Sequence, residues 1–143
     1  MQESIEFLLR VANRKSEKLA NQQLAEYDLT STQSRTLSFL CNRPPMTVRQ
    51  CDIENFFSKS NPAVTGILNN MEQKGLVQRV TNPEDARSKV LLVTEKGREL
   101  NTQLATWRGK MDQLLTEGMM EEEKTILAVL LKKMIHNPNL QHQ

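Results

Sequence analysis

Residues 58–98 decide the fold of this 143-residue chain: SKSNPAVTGILNNMEQKGLVQRVTNPEDARSKVLLVTEKGR. The stretch predicts a helix, a tight stop, a strand, a polar turn and a second strand, in that order. The helix should begin at Ser60, because a serine side chain accepts from the unpaired amides of a first helical turn. Pro62 falls within that turn, where a missing amide costs little. Lys74 and Gly75 end the helix, since glycine readily adopts the left-handed conformation of a helix stop.

The predicted helix after Ser60 has an apolar face and a polar face. The apolar stripe recurs every three to four residues and is expected to face the core, through Val64, Ile67, Leu68 and Met71. The opposite face is small and nearly uncharged, and consists of Pro62, Gly66, Asn69 and Gln73, flanked by Thr65 and Asn70. Such a face can enter a DNA groove and offer hydrogen bonds to base edges. Considered alone, it fits a plain solvated surface equally well.

The second half of the stretch predicts a charged hairpin. Leu76–Val80 and Lys89–Val93 should pair as strands, and turn-forming residues at 82–85 separate them. The tip of the hairpin is predicted to carry Arg87 and Lys89. The whole stretch has seven basic and four acidic residues, a net charge of +3 in a chain whose total is +2. A helix followed by a basic hairpin predicts a winged helix-turn-helix, which reads DNA.

The other segments are predicted to be helical. Helices are expected at 3–26, 31–42, 49–57, from 95 onward and at 121–136. Pro44 and Pro45 end the second of them, and residues 46–48 are expected to add a short strand. The predicted fold class is therefore mainly α with a small β-hairpin wing, a winged helix-turn-helix flanked by long dimerisation helices.

The length predicts one domain over residues 1–143, with a DNA-binding lobe at about 31–98. The long helices at about 3–26 and 95–136 carry apolar stripes that have no obvious partner in a small winged domain. Such stripes often pack against a second copy, so we expect a homodimer. The residues expected at its interface are Ile5, Leu8, Leu9, Leu104, Trp107, Met111, Leu127, Leu130, Leu131 and Met134.

Residues expected to contact DNA lie on the predicted helix and hairpin. They are Lys59, Ser60, Asn61, Thr65, Gly66, Asn69, Asn70, Arg79, Asp85, Arg87, Ser88 and Lys89. Lys59 and Arg79 are expected to contact DNA phosphates. The alternative, that both are ordinary solvated surface residues, fits the sequence equally well. Arg87 is expected to enter the minor groove, where negative potential is focused, with Asp85 orienting it. The plainer alternative is a surface ion pair between the two.

Several classes of function are not expected. The chain has no apolar run near the roughly 20 residues of a membrane helix and no secretory leader at its start, so a cytoplasmic protein is expected. Cys41 and Cys51 are too few for a disulfide scaffold, and a redox or metal switch at Cys51 is the minor alternative. The only histidines are His136 and His142. We expect no metal site, no cofactor and no enzymatic activity, because the chain shows no cluster of metal ligands and no nucleophile–base pair.

The chain resembles the MarR family of bacterial transcriptional regulators over roughly residues 5–136. The most specific match is NPEDARSKVLLVTEKG, which looks like the family's Asp-x-Arg-Ser tip followed by a Leu-Thr-x-x-Gly exit. The stretches SNPAVTGILNNMEQKGLVQRV and RQCDIENFF are similar to the recognition helix with its following strand and to the helix before it. The resemblance implies a homodimeric repressor that binds a pseudo-palindromic operator. It also implies release by an oxidant or by a small molecule, such as a hydrophobic or aromatic effector, with the multidrug-efflux repressors as the nearest type.

Two positions depart from the family pattern. Ala86 stands where many members carry another arginine, and Gly66 stands where many carry a longer polar or basic side chain. One contact to DNA is therefore expected to be missing at the wing tip. The alternative from another functional class is a winged-helix module that binds protein and not DNA, which steep salt dependence on duplex DNA would exclude.

Overall fold

The computed structural model describes residues 2–141, so His142 lies outside the described residues. Six α-helices and one antiparallel hairpin follow one another in this part of the chain. The helices are α1 (Ile5–Leu24), α2 (Ser31–Cys41), α3 (Gln50–Phe57), α4 (Asn61–Gln73), α5 (Glu95–Leu115) and α6 (Glu121–Ile135). The strands are β1 (Val77–Asn82) and β2 (Asp85–Val93), and short 3-10 turns occur at Ala25–Tyr27 and Pro138–Leu140. The mainly α fold class and the helix–helix–hairpin order predicted from the sequence are confirmed.

The chain divides into two compact units, one up to Trp107 and one from Arg108 onward. The first unit contains a continuous hydrophobic core to which α2, α4 and the hairpin all contribute. Its fully buried side chains include Leu24, Leu37, Ile53, Val64, Leu68, Met71 and Leu104. Burying side chains of this size stabilises a fold by about 1.5–3 kcal/mol each. The core thus fixes the positions of α4 and of the hairpin that follows it.

Helix α2 begins with a reciprocal cap. The Thr30 side chain accepts from the Gln33 amide at 3.2 Å, and Gln33 Oε1 accepts from the Thr30 amide at 3.1 Å. This arrangement satisfies two backbone donors that a helix start would otherwise leave unpaired. It also fixes the side chain of Gln33, which is buried beside α4.

The expected strand at residues 46–48 does not form. Met46 has a left-handed backbone with φ of 65°, which interrupts an extended chain directly after Pro44 and Pro45. Val48 nevertheless accepts one hydrogen bond from the Leu91 amide, at 2.8 Å. The segment therefore touches β2 through a single bond, and the prediction of a strand here was wrong.

In the second unit, α6 begins where Glu123 reaches back to accept from the Met120 amide at 2.8 Å. Most large apolar side chains of this helix are exposed in the single chain, namely Ile126, Leu127, Val129, Leu130, Leu131 and Ile135. No helix within residues 2–141 has the length and apolar character needed to cross a membrane.

Candidate nucleic-acid interface

Helix α4 presents the two faces predicted for it. Ser60 Oγ accepts from the Ala63 amide at 3.3 Å, and Pro62 lies in the first turn, so the start of the helix is well capped. The inner stripe is fully buried through Val64, Leu68 and Met71, whereas Ile67 is only partly buried. The exposed residues include Asn61, Gly66, Asn69 and Asn70, and Thr65 is half-buried.

Side chains of α3 hold one flank of α4. Gln50 Nε2 donates to Thr65 Oγ1 at 2.8 Å. Asn61 Nδ2 donates to Glu54 Oε2 at 2.8 Å. Two of the residues predicted to contact DNA are therefore already fixed by hydrogen bonds within the protein. Such fixed side chains lose less conformational freedom on binding.

A side chain of α2 holds the other flank. Gln33 Nε2 donates to Asn70 Oδ1 at 2.7 Å, and Gln33 Oε1 accepts from Lys74 Nζ at 3.1 Å. Lys74 also donates to the backbone oxygen of Asp28, which ties the end of α4 to the loop before α2. By contrast, Asn69 on the outer face makes no side-chain hydrogen bond within the described residues, so it is free to take a partner.

The hairpin has an irregular tip. Thr81 pairs with Lys89 and Asn82 pairs with Asp85, so residues 86–88 form an excursion on β2 that β1 does not match. Asn82 Oδ1 accepts from the Glu84 amide at 3.0 Å, and Asn82 Nδ2 donates to Ser88 Oγ at 3.1 Å. Asn82 thus braces both sides of the tip. Lys89, predicted at the tip, lies within the strand ladder and is exposed there.

Arg87 projects from this tip into solvent. Its side chain is 94 % exposed, and Asp85 Oδ1 accepts from its Nε at 3.4 Å. The backbone conformation at the tip is fixed separately, because the same Asp85 oxygen accepts from the Arg87 amide at 3.0 Å. An exposed guanidinium on a braced loop is well placed to enter a narrow, negatively charged groove.

Arg79 is placed differently from the sequence expectation of a phosphate contact. Its Nη1 donates to Glu72 Oε1 at 3.1 Å, and its Nη2 donates to the Thr65 backbone oxygen at 3.4 Å. Its own amide donates to Glu72 Oε2 at 2.9 Å. The guanidinium is thus neutralised by a carboxylate and packed along α4. This geometry favours a brace between β1 and α4 over a direct contact with DNA.

A crevice of about 540 Å³ runs along the α2 side of α4. Its lining includes Lys59, Gly66 and Asn70, together with Thr32 and Gln33 of α2. Lys59 is exposed just before the cap of α4, where a cation can meet a phosphate. Because Gly66 has no side chain and no atom within 4 Å of the position a Cβ would take, the helix surface is open at this point.

The residues predicted for a dimer interface fall into two groups. Ile5, Leu8 and Leu9 of α1 are exposed, as are Leu127, Leu130 and Leu131 of α6. Met134 and Trp107 are half-buried, and Trp107 packs against the core of the first unit. Leu104 and Met111 are buried within the single chain. The predicted role of Leu104 and Met111 in the dimer interface therefore needs correcting, because their side chains have almost no exposed surface for a partner to contact.

Comparison with known proteins identifies the family. The sequence model of the MarR family matches residues 29–89, which run from just before α2 to the wing. The transcription regulator MarR from Oenococcus oeni is 30 % identical, with 92 % of this chain and 98 % of that one covered and a TM-score of 0.71. The chain belongs to the MarR family.

Two further relatives of this MarR-family chain agree over nearly its whole length. The multiple antibiotic resistance protein MarR of Escherichia coli strain K12 is 28 % identical over 129 residues, which are 90 % of this chain and 88 % of that protein. The S. aureus MepR–DNA complex is 28 % identical with a TM-score of 0.81, and covers 94 % of this chain and 98 % of that one.

Sequence reasoning missed the side chains that support the DNA-facing residues of this MarR-family chain. Gln33, Gln50, Glu54 and Glu72 were not singled out, yet each bonds a residue that was. Only Gln33 left a signal in the sequence, because it stands three residues after Thr30 in the spacing of a helix cap. The other three act across elements that the sequence does not show to be in contact. Within residues 2–141, no group of three or more His, Cys, Asp or Glu side chains could hold a metal ion.

Proposed function

We propose that this chain is a sequence-specific DNA-binding transcriptional regulator, a homodimeric repressor of a pseudo-palindromic operator. In this proposal, the DNA-binding lobe spans about residues 31–98 of a single domain, and the helices at about 3–26 and 95–136 serve dimerisation. The MepR relative occurs in a complex with DNA, which supports the same use of the fold here. The repressor acts in the cytoplasm, where its operator lies, and needs no cofactor, metal or catalytic activity.

One observation carries the proposal: α4 and the wing form a braced unit with two exposed, chemically distinct surfaces. Arg79 joins β1 to α4 through Glu72 and the Thr65 backbone. The outer face of α4 offers amide and hydroxyl groups, which suit base edges in a major groove. The wing tip offers the exposed guanidinium of Arg87, which suits the adjacent minor groove. Both surfaces are thus held at a fixed spacing.

The dimer follows from exposed apolar surface on α6 and on the first turns of α1. Leu130 is 53 % exposed and Ile5 is 64 % exposed in the single chain. A second copy is the partner that would cover such stripes in a symmetric regulator. A two-fold dimer would place its two recognition helices about one helical turn of DNA apart, roughly 10 bp.

Release of the repressor is proposed to involve a small hydrophobic or aromatic effector. A crevice of about 440 Å³ between α2 and α3 offers the exposed ring of Phe56, which lies 4.5 Å from the Phe39 ring. Arg43 lies over the Phe39 ring at 3.5 Å and adds a cation to the same crevice. Because Val48 also lines it and bonds the wing strand β2, an occupant could alter the position of the wing.

The test is selection of duplexes from a randomised library by the full-length protein, followed by fluorescence-anisotropy titration of the selected duplex at several salt concentrations. We expect a palindromic consensus, preference over random duplex by about a thousandfold or more, and steep salt dependence. A protein-binding module would select no consensus and would bind all duplexes weakly and equally. That result would end the proposal.

A further inference from the structure

The orientation of the Gln33 side-chain amide is determined by its neighbours. Gln33 is 6 % exposed, and its Oε1 atom lies 3.1 Å from the Thr30 amide nitrogen and 3.1 Å from Lys74 Nζ. A backbone N–H and an ammonium can only donate hydrogen bonds, so the atom between them must be the acceptor oxygen. The amide nitrogen of Gln33 is therefore the atom that faces α4.

This assignment fixes Asn70 in turn. Gln33 Nε2 lies 2.7 Å from Asn70 Oδ1, and Asn70 is exposed on the surface of α4. Because the Asn70 oxygen is occupied by the buried donor, its NH₂ group is the end directed away from Gln33. Asn70 therefore offers donors and not an acceptor to a groove of DNA.

The other flank of α4 follows the same logic. Gln50 Nε2 lies 3.2 Å from Glu54 Oε2 and 3.4 Å from the Asn61 backbone oxygen, both of which can only accept. That nitrogen must donate to Thr65 Oγ1, at 2.8 Å. The Thr65 hydroxyl then has its own proton left to donate. Both flanks of α4 thus face outward as donors.

We propose that Gln33 and Gln50 are positioning residues that set the hydrogen-bond polarity of the recognition helix, so that Asn70 and Thr65 select bases that present an acceptor on the contacted strand. In the major groove, guanine O6 and thymine O4 are acceptors at the place where cytosine N4 and adenine N6 are donors, so guanine or thymine should be preferred on that strand. This proposal rests on the proposed function, because it concerns how the same surface discriminates between base pairs. Neither glutamine needs to touch DNA for it to hold.

Gln33→Glu inverts the polarity at one flank with almost no change in shape. A carboxylate at this position still accepts from Thr30 and Lys74, and Thr-x-x-Glu is itself a favourable helix cap. Its second oxygen, however, would face Asn70 Oδ1, and two acceptors cannot bond each other. The Asn70 amide must then rotate by half a turn to donate to the introduced carboxylate, which presents the Asn70 oxygen outward.

The experiment uses the duplex selected by the wild-type protein and every single base-pair substitution in one of its half-sites. Gln33→Glu should reverse the preference at one position, by about fivefold or more, from guanine or thymine on the contacted strand to cytosine or adenine, which present the donors N4 and N6. The other positions should keep their order of preference. Gln33→Met removes all three side-chain hydrogen bonds of Gln33 and should abolish discrimination at that same position.

Two controls separate polarity from charge. The exposed Gln78→Glu adds the same negative charge on β1 and should weaken all duplexes by a similar factor. The double variant Gln33→Glu with Asn70→Ala retains the new charge and lacks the amide, so it should show no reversal. Thermal unfolding of each variant verifies the fold.

The inference would be overturned if Gln33→Glu weakened every duplex equally, or if the reversal persisted without the Asn70 amide. The inference would also be overturned if Gln33→Met kept the wild-type base preference at that position. Failure of the wild-type protein to select any duplex would instead refute the proposed function, so the two failures are distinguishable.

Discussion

The Oδ1 atom of Asp85 accepts from both the backbone amide and the side-chain Nε of Arg87, at 3.0 Å and 3.4 Å. The first bond fixes the backbone conformation of the wing tip, and the second orients the Arg87 guanidinium. Asp85 also pairs with Asn82 across the hairpin, so the direction of the Arg87 side chain is fixed relative to the two strands. The pair therefore orients an exposed cation without burying it.

Arg87→Ala should lower operator affinity and leave stability nearly unchanged. The side chain is almost fully exposed, and such surface changes usually stay within about 0.5 kcal/mol. The slope of log affinity against log salt should shrink by up to about 1.8, since a symmetric dimer loses two charges. Anisotropy titrations across a salt series, together with thermal unfolding, measure both quantities.

Two companion variants distinguish charge from orientation at the wing. Asp85→Ala should weaken operator binding less than Arg87→Ala, because it removes the orienting partner and leaves the cation. Arg87→Lys should recover only part of the affinity, since lysine keeps the charge without the planar fork. If Arg87→Ala bound with wild-type affinity and slope, the wing would not be a DNA contact.

Arg79 should behave in the opposite way. Because its guanidinium bonds Glu72 and the Thr65 backbone oxygen, Arg79→Ala should lower the free energy of unfolding by about 1 kcal/mol. The salt slope should hardly change, since the charge is already neutralised by Glu72. Glu72→Gln is the matched control, because it frees the Arg79 charge while the brace can still form one hydrogen bond. A slope reduced by Arg79→Ala as strongly as by Arg87→Ala would restore the phosphate-contact interpretation.

The sequence predicted the elements well because their signals are local. Ser60, Pro62 and Gly75 mark the two ends of α4, and the structure has that helix at Asn61–Gln73. The strand expected at 46–48 failed because a short apolar run after two prolines does not reveal the left-handed backbone of Met46. Local sequence patterns therefore predicted the helices and the hairpin. The conformation of residues 46–48 depends instead on tertiary contacts that the local pattern does not show.

Only the exposed residues of the site were predicted, and the side chains that support them were not. Exposed residues such as Asn69 and Arg87 follow from helical periodicity and turn chemistry. The partner of Arg79 could not be predicted, because Glu72 lies on the preceding helix and the chain reverses at Gly75 before the two meet. Similarly, the bond between Gln33 and Asn70 joins residues 37 positions apart. Contacts of this kind depend on how elements pack, which a single sequence does not display.

Leu130→Glu should convert the protein to a folded monomer. Leu130 is exposed in the single chain, so a carboxylate there costs little until a partner covers it. Thr125→Glu adds the same charge to the opposite side of α6 and should leave the dimer intact. Sedimentation equilibrium at micromolar concentration measures the association, and circular dichroism monitors the helix content. A dimer of wild-type strength in Leu130→Glu would place the interface elsewhere.

The glycine that follows the wing is expected to be essential for packing. At Gly97 an added Cβ would lie 2.4 Å from the Leu76 backbone oxygen and 2.9 Å from Val93 Cγ1, so the start of α5 would have to move away from the hairpin. Such overpacking costs about 1–3 kcal/mol, and a backbone obstacle places Gly97→Ala at the upper end. The contact also explains why a glycine ends the segment VTEKG at residues 93–97.

Gly109 provides the matched control on the same helix. An added Cβ there meets nothing within 4 Å, so Gly109→Ala should gain up to about 1 kcal/mol from helix propensity alone. Chemical denaturation of the two variants should therefore move the unfolding midpoint in opposite directions. Because Gly97 also positions the hairpin, Gly97→Ala should weaken operator binding even at temperatures where the protein remains folded, whereas Gly109→Ala should not. Equal midpoints for the two variants would contradict the close approach of α5 to the Leu76 backbone.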